Sequence, residues 1–398
     1  MRYPTRVKPV DFGSLSQRQE AIRVKMGPYG EEGTSAMMRT FLNYPEFVRS
    51  IGRIGTRVTL TSDLPKPLAA LASLRTTWLC DCEYLWAQIR QEALGGRITE
   101  AQVGAIAAGE YDALTSIERH LVEAIDEMHD THYLSEEKWY RVGLLGPNAV
   151  MDLMTTYGFF VTLSAAVNSM GVEFEDTVPG WGVPRPASVS ANSGRTPLRE
   201  IPKRVFEADY SLLSPQQIEQ ANRMGRRGKP TTSKLQKAMI NYPDFLRSMS
   251  PFGKRAIDDS CLPPRVWQLA AMRTVWLCDS EYLWSQHRKA CLQLGVTDED
   301  LRGVAEGPRS TALNDFDRVI VSTVDDMYHH NRISDENWSQ FDQFGPEGIT
   351  DLILTYGLYV LQSCLARSFG TTLEENTLGY APELEAYRDG QHRRASHV

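Results

Sequence analysis

A 17-residue segment occurs twice in this chain of 398 residues, and this repetition restricts the fold more than any other feature. Residues 74–90 read LRTTWLCDCEYLWAQIR and residues 272–288 read MRTVWLCDSEYLWSQHR, so 12 of 17 positions are identical at an offset of 198. A repeat spaced this widely indicates a whole duplicated domain, not a solenoid unit. One of the differences is chemical, because the second copy has His287 where the first has Ile89.

Similar segments extend well beyond this motif. LNYPEF (42–47) returns as INYPDF (240–245), and MDLMTTYGFFV (151–161) returns as TDLILTYGLYV (350–360) after a one-residue insertion. We therefore expect two domains joined by a linker rich in Pro, Gly and Ser, followed by a polar tail that frays. The predicted bounds are 11–178 for the first repeat, 179–208 for the linker, 209–380 for the second repeat and 381–398 for the tail.

The periodicity of each repeat is helical. LTSIERHLVEAIDEM (114–128) and LNDFDRVIVSTVDDM (313–327) place apolar residues at spacings of three and four, and no run alternates as a strand would. The predicted class is all-α, with the two repeats packed as an internal pseudo-dimer. We expect WLCD-x-EYLW to lie within one unbroken helix, on which Arg273, Ser280 and His287 share a stripe.

Composition excludes some classes of partner. The net charge of −7 and the lack of a basic run argue against nucleic acid. The sequence predicts neither a signal peptide nor a membrane span, so we expect a soluble cytoplasmic protein with no membrane partner. Six cysteines in 398 residues fit a reducing compartment.

The second motif resembles a known family. The residues that carry the resemblance are Leu262, Arg265, Arg273, Trp276, Glu281, Tyr282, Trp284 and His287. Their pattern is similar to that of carboxymuconolactone decarboxylase-like proteins, which share a fold with alkylhydroperoxidase D. The resemblance implies all-α domains assembled in rings of six, with no metal and no organic cofactor. It also implies either proton transfer on a small unsaturated lactone acid or peroxide reduction by a Cys-x-x-Cys pair.

The chain departs from both family patterns. The two cysteine positions hold Ser280 and Leu283, and the position of the upstream glutamate holds Gln268 in the second repeat and Ala70 in the first. Gln268 can orient a ligand but cannot take a proton. A thiol-dependent peroxidase is therefore the least favoured of the three functions that we consider.

The favoured function is a cofactor-free lyase or isomerase acting on a small carbonyl, lactone or carboxylate compound. His287 would be the general acid or base, and Glu281 would orient it or share the proton. Arg273 or Arg265 would bind a carboxylate or stabilise an enolate. The other predicted substrate-binding residues are Gln268, Ser280, Tyr282, Trp284 and Tyr356. A degenerate site in the first repeat would contain Glu83, Cys82, Trp86 and Arg75.

Two further interpretations remain open. The aromatic residues of the motif are equally typical of a core, and the Arg–Glu combinations of structural ion pairs. The histidine missing from the first repeat and the glutamate missing from both favour the other interpretation, a non-catalytic ligand-binding or scaffold member of the family. The two histidine pairs, His129 with His132 and His329 with His330, are predicted to lie in surface loops and not to bind metal.

Three chains would rebuild a ring of six domains, so a homotrimer is the expected assembly.

Overall fold

The structure is a computed structural model, and it describes residues 3–26, 35–176, 178–185, 201–224, 231, 233–375 and 377–395. Within these residues all regular secondary structure is helical, and no strand occurs. The prediction of an all-α chain is therefore confirmed. All predicted site residues fall inside the described ranges.

The helices of the first repeat lead to a long apolar helix at its end. Within the described residues they are α1 (Gln17–Lys25), α2 (Ala36–Phe41), α3 (Pro45–Thr56), α4 (Lys66–Leu79), α5 (Glu83–Leu94), α6 (Glu100–Ala108), α7 (Ser116–Thr131), α8 (Glu136–Gly143) and α9 (Ala149–Met170).

The second repeat runs through the same series and adds one helix. Its helices, again within the described residues, are α10 (Pro215–Met224), α11 (Lys234–Met239), α12 (Pro243–Ile257), α13 (Pro264–Leu277), α14 (Glu281–Gln293), α15 (Asp298–Glu306), α16 (Asp315–His330), α17 (Asp335–Gln340), α18 (Gly348–Ser368) and α19 (Pro382–Ala395). Helix α13 begins 198 residues after α4, and α16 begins 199 residues after α7, as the alignment of the sequence repeats predicts.

Side-chain caps explain where many of these helices begin. In the sequence, a Ser followed by acidic residues predicts N-caps at Ser135 and Ser334. The Ser135 hydroxyl accepts a hydrogen bond from Lys138 N, and the Ser334 hydroxyl accepts one from Asn337 N, so both caps are present. Prolines occupy the first turns of α4 and α13, where the missing N–H leaves no partner unsatisfied.

The repeated motif does not form one helix, and this part of the prediction needs correction. Helix α4 ends at Leu79 and α5 begins at Glu83, and α13 and α14 are separated in the same way. Asp81 (φ 49°) and Asp279 (φ 53°) adopt the left-handed conformation at these breaks. Asp is one of the few residues other than Gly that tolerates this conformation, so no Gly or Pro marks the break in the sequence. Arg273 and His287 therefore lie on different helices.

The two repeats contact each other through reciprocal hydrogen bonds. The Ser368 hydroxyl accepts from Leu134 N at 3.0 Å, and the Ser169 hydroxyl accepts from Ile333 N at 2.9 Å. The two bonds are equivalent, because Ser169 aligns with Ser368 and Leu134 aligns with Ile333 in the two repeats. Such exchange of equivalent partners is the property of an isologous, twofold interface.

The long helices α9 and α18 form the centre of this interface. A Cβ atom on Gly158 would lie 2.7 Å from Cβ of Leu361, and one on Gly357 would lie 2.8 Å from Cβ of Thr162. The two helices thus approach each other where each has a glycine. By length and composition both helices could span a membrane, but the protein itself buries 100% of the apolar stretch of α9 and 94% of that of α18. Such burial is consistent with core helices of a soluble protein.

The chain that follows each repeat packs against the motif of that repeat. After the first repeat, the Arg185 guanidinium pairs with Asp81 at 3.0 Å and lies over the Trp78 ring. After the second, Arg388 pairs with Asp279 at 2.7 Å. Residues 186–200 of the predicted linker lie outside the described residues. The prediction that the tail frays needs correction for 382–395, because these residues form helix α19 and Arg388 is buried.

Candidate functional site

Three helices of the second repeat meet at His287. Helix α14 provides His287, α13 provides Gln268 and Trp267, and α18 provides Tyr359. Nδ1 of His287 lies 3.1 Å from Oε1 of Gln268, and Nε2 lies 3.0 Å from the Tyr359 hydroxyl. The Trp267 ring packs edge-on at 5.7 Å between ring centroids. His287 itself is half-buried, whereas Gln268 and Tyr359 are buried.

These two contacts assign different roles to the two ring nitrogens. A Gln268 carbonyl oxygen only accepts hydrogen bonds, so Nδ1 of a neutral His287 carries the proton and donates it to this oxygen. Nε2 then has the free electron pair and accepts from the Tyr359 hydroxyl. Burial raises the pKa of Tyr359 well above its ordinary value, so this hydroxyl keeps its proton at neutral pH. Nε2 is therefore the basic atom of the site.

A buried thiol lies on the far side of Gln268. Sγ of Cys291 lies 3.8 Å from Oε1 of Gln268, within reach of a weak S–H hydrogen bond. Burial raises the pKa of Cys291 to about 12, so the thiol is protonated and uncharged at neutral pH. It helps to hold the amide that orients the imidazole.

The first repeat has hydrocarbon at every corresponding position. The residues that align with Trp267, Gln268, His287, Cys291 and Tyr359 are Ala69, Ala70, Ile89, Ala93 and Phe160. Sequence reasoning identified the differences at His287 and Gln268 but missed Trp267, Cys291 and Tyr359. The comparison of the two repeats could also have found these three, because each is a polar or aromatic residue that aligns with an alanine or a phenylalanine of the first repeat.

Arg273 does not lie free to bind a substrate, and its predicted role needs correction. Its Nε and Nη2 donate to both oxygens of Asp325 at 2.6 and 2.9 Å, and its Nη1 donates to the carbonyls of Val304 and Ala305. Arg75 makes the matching contacts with Asp126 and the Ile106 carbonyl. The arginine shared by both motifs thus connects helices within each repeat.

Arg265 and Glu281 also have partners away from the imidazole. Arg265 is one-third exposed and pairs with Asp317 at 2.6 Å, with Asp300 at 3.5 Å. Oε1 of Glu281 accepts from Tyr380 N at 3.1 Å and so holds the chain that follows the second repeat. The two ring nitrogens of His287 contact Gln268 and Tyr359, and the role predicted for Glu281 stays a prediction.

The aromatic residues of the motif are buried and belong to the core. The Tyr282 hydroxyl donates to Glu374 at 2.9 Å, and the Tyr356 hydroxyl donates to the Met327 carbonyl. Trp284 packs between Trp276 and Tyr380. Their predicted role in shaping a pocket therefore gives way to the core-packing interpretation. The Ser280 hydroxyl is buried and has no hydrogen-bond partner among the described residues.

The predicted degenerate site of the first repeat is likewise packed. Trp86 is buried against Trp78, and its indole N–H donates to the Trp181 carbonyl. Cys82 is buried, and burial raises its pKa to about 12. Glu83 is half-buried and lines a cleft of about 310 Å³ beside the start of the chain.

A larger cleft, of about 580 Å³, lies between the two repeats and away from His287. Its lining includes Tyr3, Asp81 and Arg185 from one side and His329, His330 and Arg332 from the other. Among the residues that the structure describes, no three or more His, Cys, Asp or Glu side chains are grouped as a metal site would require.

The histidine pairs occupy different environments, so the prediction of four surface-loop histidines was partly wrong. His329 and His330 are exposed at the end of helix α16. His132 instead ends helix α7 in the left-handed conformation, is buried, and stacks on Tyr328. Burial lowers the pKa of His132 to about 3, and the Arg367 guanidinium acts in the same direction.

All six cysteines are free thiols. Cys80 directly follows α4 and Cys82 directly precedes α5, and both are buried. Burial raises the pKa of the Cys278 thiol to about 12. Reactive thiols have lowered pKa values and partial exposure, so these cysteines do not form a peroxidase centre of the usual kind.

One comparison with known proteins gives a match. Residues 243–314, from the start of α12 to the loop before α16, match the model of the carboxymuconolactone decarboxylase family. The matched residues include Gln268 and His287 but not Tyr359. No curated protein and no solved structure gives a significant match to the chain.

Proposed function

We propose, from the premise that the second repeat belongs to the carboxymuconolactone decarboxylase family, that this protein is a cofactor-free lyase or isomerase with one proton-transfer site per chain. The observation that carries the proposal is the bridge Gln268–His287–Tyr359, in which one ring nitrogen is held as a donor and the other is left basic. The hydrocarbon residues of the first repeat restrict the site to the second.

The proposed step begins when a carbonyl compound displaces the hydrogen bond between Tyr359 and His287. An acidic C–H next to the carbonyl, or conjugated with it, gives its proton to Nε2, and its electron pair forms an enolate. The Tyr359 hydroxyl then donates to the enolate oxygen in place of Nε2. In an isomerase the imidazolium returns the proton to another carbon. In a decarboxylase the enolate forms by loss of CO₂ instead, takes a proton from the imidazolium, and the imidazole then regains a proton from water.

The imidazolium formed in this step is supported from the other side. Nδ1–H remains bonded to the Gln268 carbonyl oxygen throughout, so the ring does not rotate when Nε2 changes its protonation state. Gln268 is a neutral acceptor and stabilises the imidazolium less than a carboxylate would. A weak base of this kind returns its proton readily, which suits a reversible transfer.

The alternative is a non-catalytic ligand-binding or scaffold member, and one observation favours it. Arg273, which the sequence offered as a substrate-binding residue beside His287, pairs with Asp325 and connects helices instead. The proton-transfer function explains the polar set around His287, whereas a scaffold does not require it. A thiol-dependent peroxidase finds no support in the buried, high-pKa thiols of the motif.

The test is proton exchange from small lactones and β-keto acids, followed by NMR in D₂O. Substitution His287→Ala should reduce exchange by about 10²–10⁴-fold, the usual contribution of a general base. Ile89→Ala, at the same position of the first repeat, is the matched control and should leave exchange unchanged. Full activity of the His287→Ala protein, with the assembly intact, contradicts the proposal.

We further propose that the protein is a cytoplasmic homotrimer that takes a small molecule as its only partner. The reciprocal contacts of the two repeats occupy the place of a dimer interface, so three chains would complete a ring of six domains. Six free thiols support a reducing compartment. Sedimentation equilibrium should give about three chain masses, and a mass near one chain would contradict the assembly.

A further inference from the structure

Trp267 has a buried hydrogen-bond donor without an acceptor. The side chain exposes 9% of its surface, and its ring lies against both His287 and Tyr359 at 5.7 and 6.0 Å between centroids. Its Nε1 has no hydrogen-bond partner among the described residues. An unpaired buried N–H is unfavourable, so an oxygen atom of a ligand would recover free energy there. The first repeat has Ala69 at this position and lacks the donor.

The donors around the imidazole are uncharged. Tyr359 offers an O–H and Trp267 an N–H, and Cys291 is a neutral thiol. Arg273 is occupied by Asp325 and two carbonyl groups. No cation that these contacts describe is left to receive a carboxylate beside His287.

The charge of Arg265 acts on the Cys291 thiol, and Arg265 belongs to a cluster of charged side chains with a net negative charge. Arg265 pairs with two carboxylates, those of Asp317 and Asp300, so one positive charge faces two negative charges. A carboxylate approaching this side would lose hydration and gain no net attraction. An uncharged carbonyl group loses little hydration and matches neutral donors and aromatic rings.

We propose that the site selects an uncharged carbonyl compound, such as a lactone, an ester or a ketone, over a compound that carries a carboxylate. The carbonyl oxygen accepts from the Trp267 indole N–H or the Tyr359 hydroxyl, and Trp267 is the residue that determines this specificity. The inference rests on the proposed function, since it assumes that His287 transfers the proton. It favours the isomerase over the decarboxylase, because a decarboxylase must bind a carboxylate.

A matched pair of substrates tests the inference. Both contain a five-membered unsaturated lactone ring, and one has a methyl acetate side chain where the other has the free acetate. Exchange of the acidic ring proton is followed by NMR in D₂O with the full-length protein. We expect exchange of the ester to be at least tenfold faster than exchange of the acid. Trp267→Phe, which removes the indole N–H together with part of the ring, should slow exchange of the ester about tenfold. Trp139→Phe makes the same change in helix α8 of the first repeat and should leave exchange unaltered.

The outcomes separate the inference from the proposed function. If the free acid exchanges as fast as the ester, or if Trp267→Phe leaves exchange of the ester unchanged, the substrate class is wrong while the role of His287 stands. If the wild-type protein exchanges neither compound, or if His287→Ala exchanges both at the wild-type rate, the proposed function fails and the inference fails with it.

Discussion

The hydroxyl of Tyr359 lies 3.0 Å from Nε2 of His287, although the two residues are 72 positions apart in the chain. The contact joins helix α14 to the central helix α18, which also forms the interface between the repeats. The candidate site is thus attached to one of the two buried central helices, and its geometry depends on the packing of that helix.

Substitution of Gln268 should change the pH dependence of proton exchange. In Gln268→Glu a carboxylate would face Nδ1 and favour the protonated imidazole. Since exchange requires the neutral base, the rise of activity with pH should move to higher pH than in the wild type, and the lost activity should be recovered as the pH increases. Gln268→Ala should lower the rate without moving the profile upward. The pH–rate profiles of both variants check this prediction, and an unmoved Gln268→Glu profile contradicts it.

The contact between the central helices predicts a strong effect of one methyl group. In Gly357→Ala the added Cβ would lie 2.8 Å from Cβ of Thr162, so the helices must move apart. We expect a loss of about 1–3 kcal/mol in the free energy of unfolding. Gly253→Ala in helix α12 is the control, because an added Cβ there meets nothing within 4 Å. Urea unfolding should show the control to be neutral or stabilised, and equal losses would argue against the close approach.

The ion pair between helix α19 and the motif predicts that replacing Arg388 destabilises the protein much more than replacing an exposed arginine. Arg388 is buried and pairs with Asp279, which also pairs with Arg367 at 2.7 Å. Arg388→Ala leaves one carboxylate with one partner fewer and should cost about 2–4 kcal/mol of stability. Arg247→Ala removes an exposed pair with Asp244 and should cost less than about 1 kcal/mol. Thermal unfolding of the two variants compares them, and similar values would show that α19 does not hold the motif.

The buried histidine at the end of α7 predicts a dependence of stability on pH. The pKa of His132 is lowered to about 3 in the folded protein and is about 6.5 in an unfolded chain. The unfolded chain therefore binds the proton first, and stability falls as the pH decreases from about 6.5 towards 3.

The variant His132→Asn isolates this effect, because Asn331 already occupies the same left-handed position in the second repeat. The variant should lose about 2 kcal/mol less stability than the wild type between pH 7 and pH 5. His330→Asn changes an exposed histidine and should behave as the wild type. Urea unfolding at the two pH values measures all three proteins. Parallel losses in wild type and His132→Asn would show that His132 is not held neutral.

Local patterns in the sequence were enough to predict the helices and their order. Apolar spacing and the caps Ser135 and Ser334 depend on neighbouring residues, and these are visible in one dimension. The helix breaks at Asp81 and Asp279 were missed because an Asp in the left-handed conformation cannot be recognised from the sequence, unlike a Gly or a Pro. The error placed Arg273 and His287 on one helical face, where the structure separates them.

The site was predicted only where the two repeats differ. His287 against Ile89 and Gln268 against Ala70 identified the polar half, and these two side chains are hydrogen-bonded in the structure. Arg273 was misjudged because its partner Asp325 lies 52 residues away in sequence and only the fold brings them together. Whether a charged side chain is free or already paired is a property of tertiary structure.

The reciprocal interface has a consequence for how such a protein can vary. In an assembly of two identical chains, every substitution occurs twice, so a site cannot be lost from one subunit and kept in the other. Joining the two halves in one chain removes that constraint. In one half, polar side chains can be replaced by hydrocarbon, which makes that half more rigid. The other half can keep a polar cluster, because the stability of the first half offsets the stability that the cluster costs.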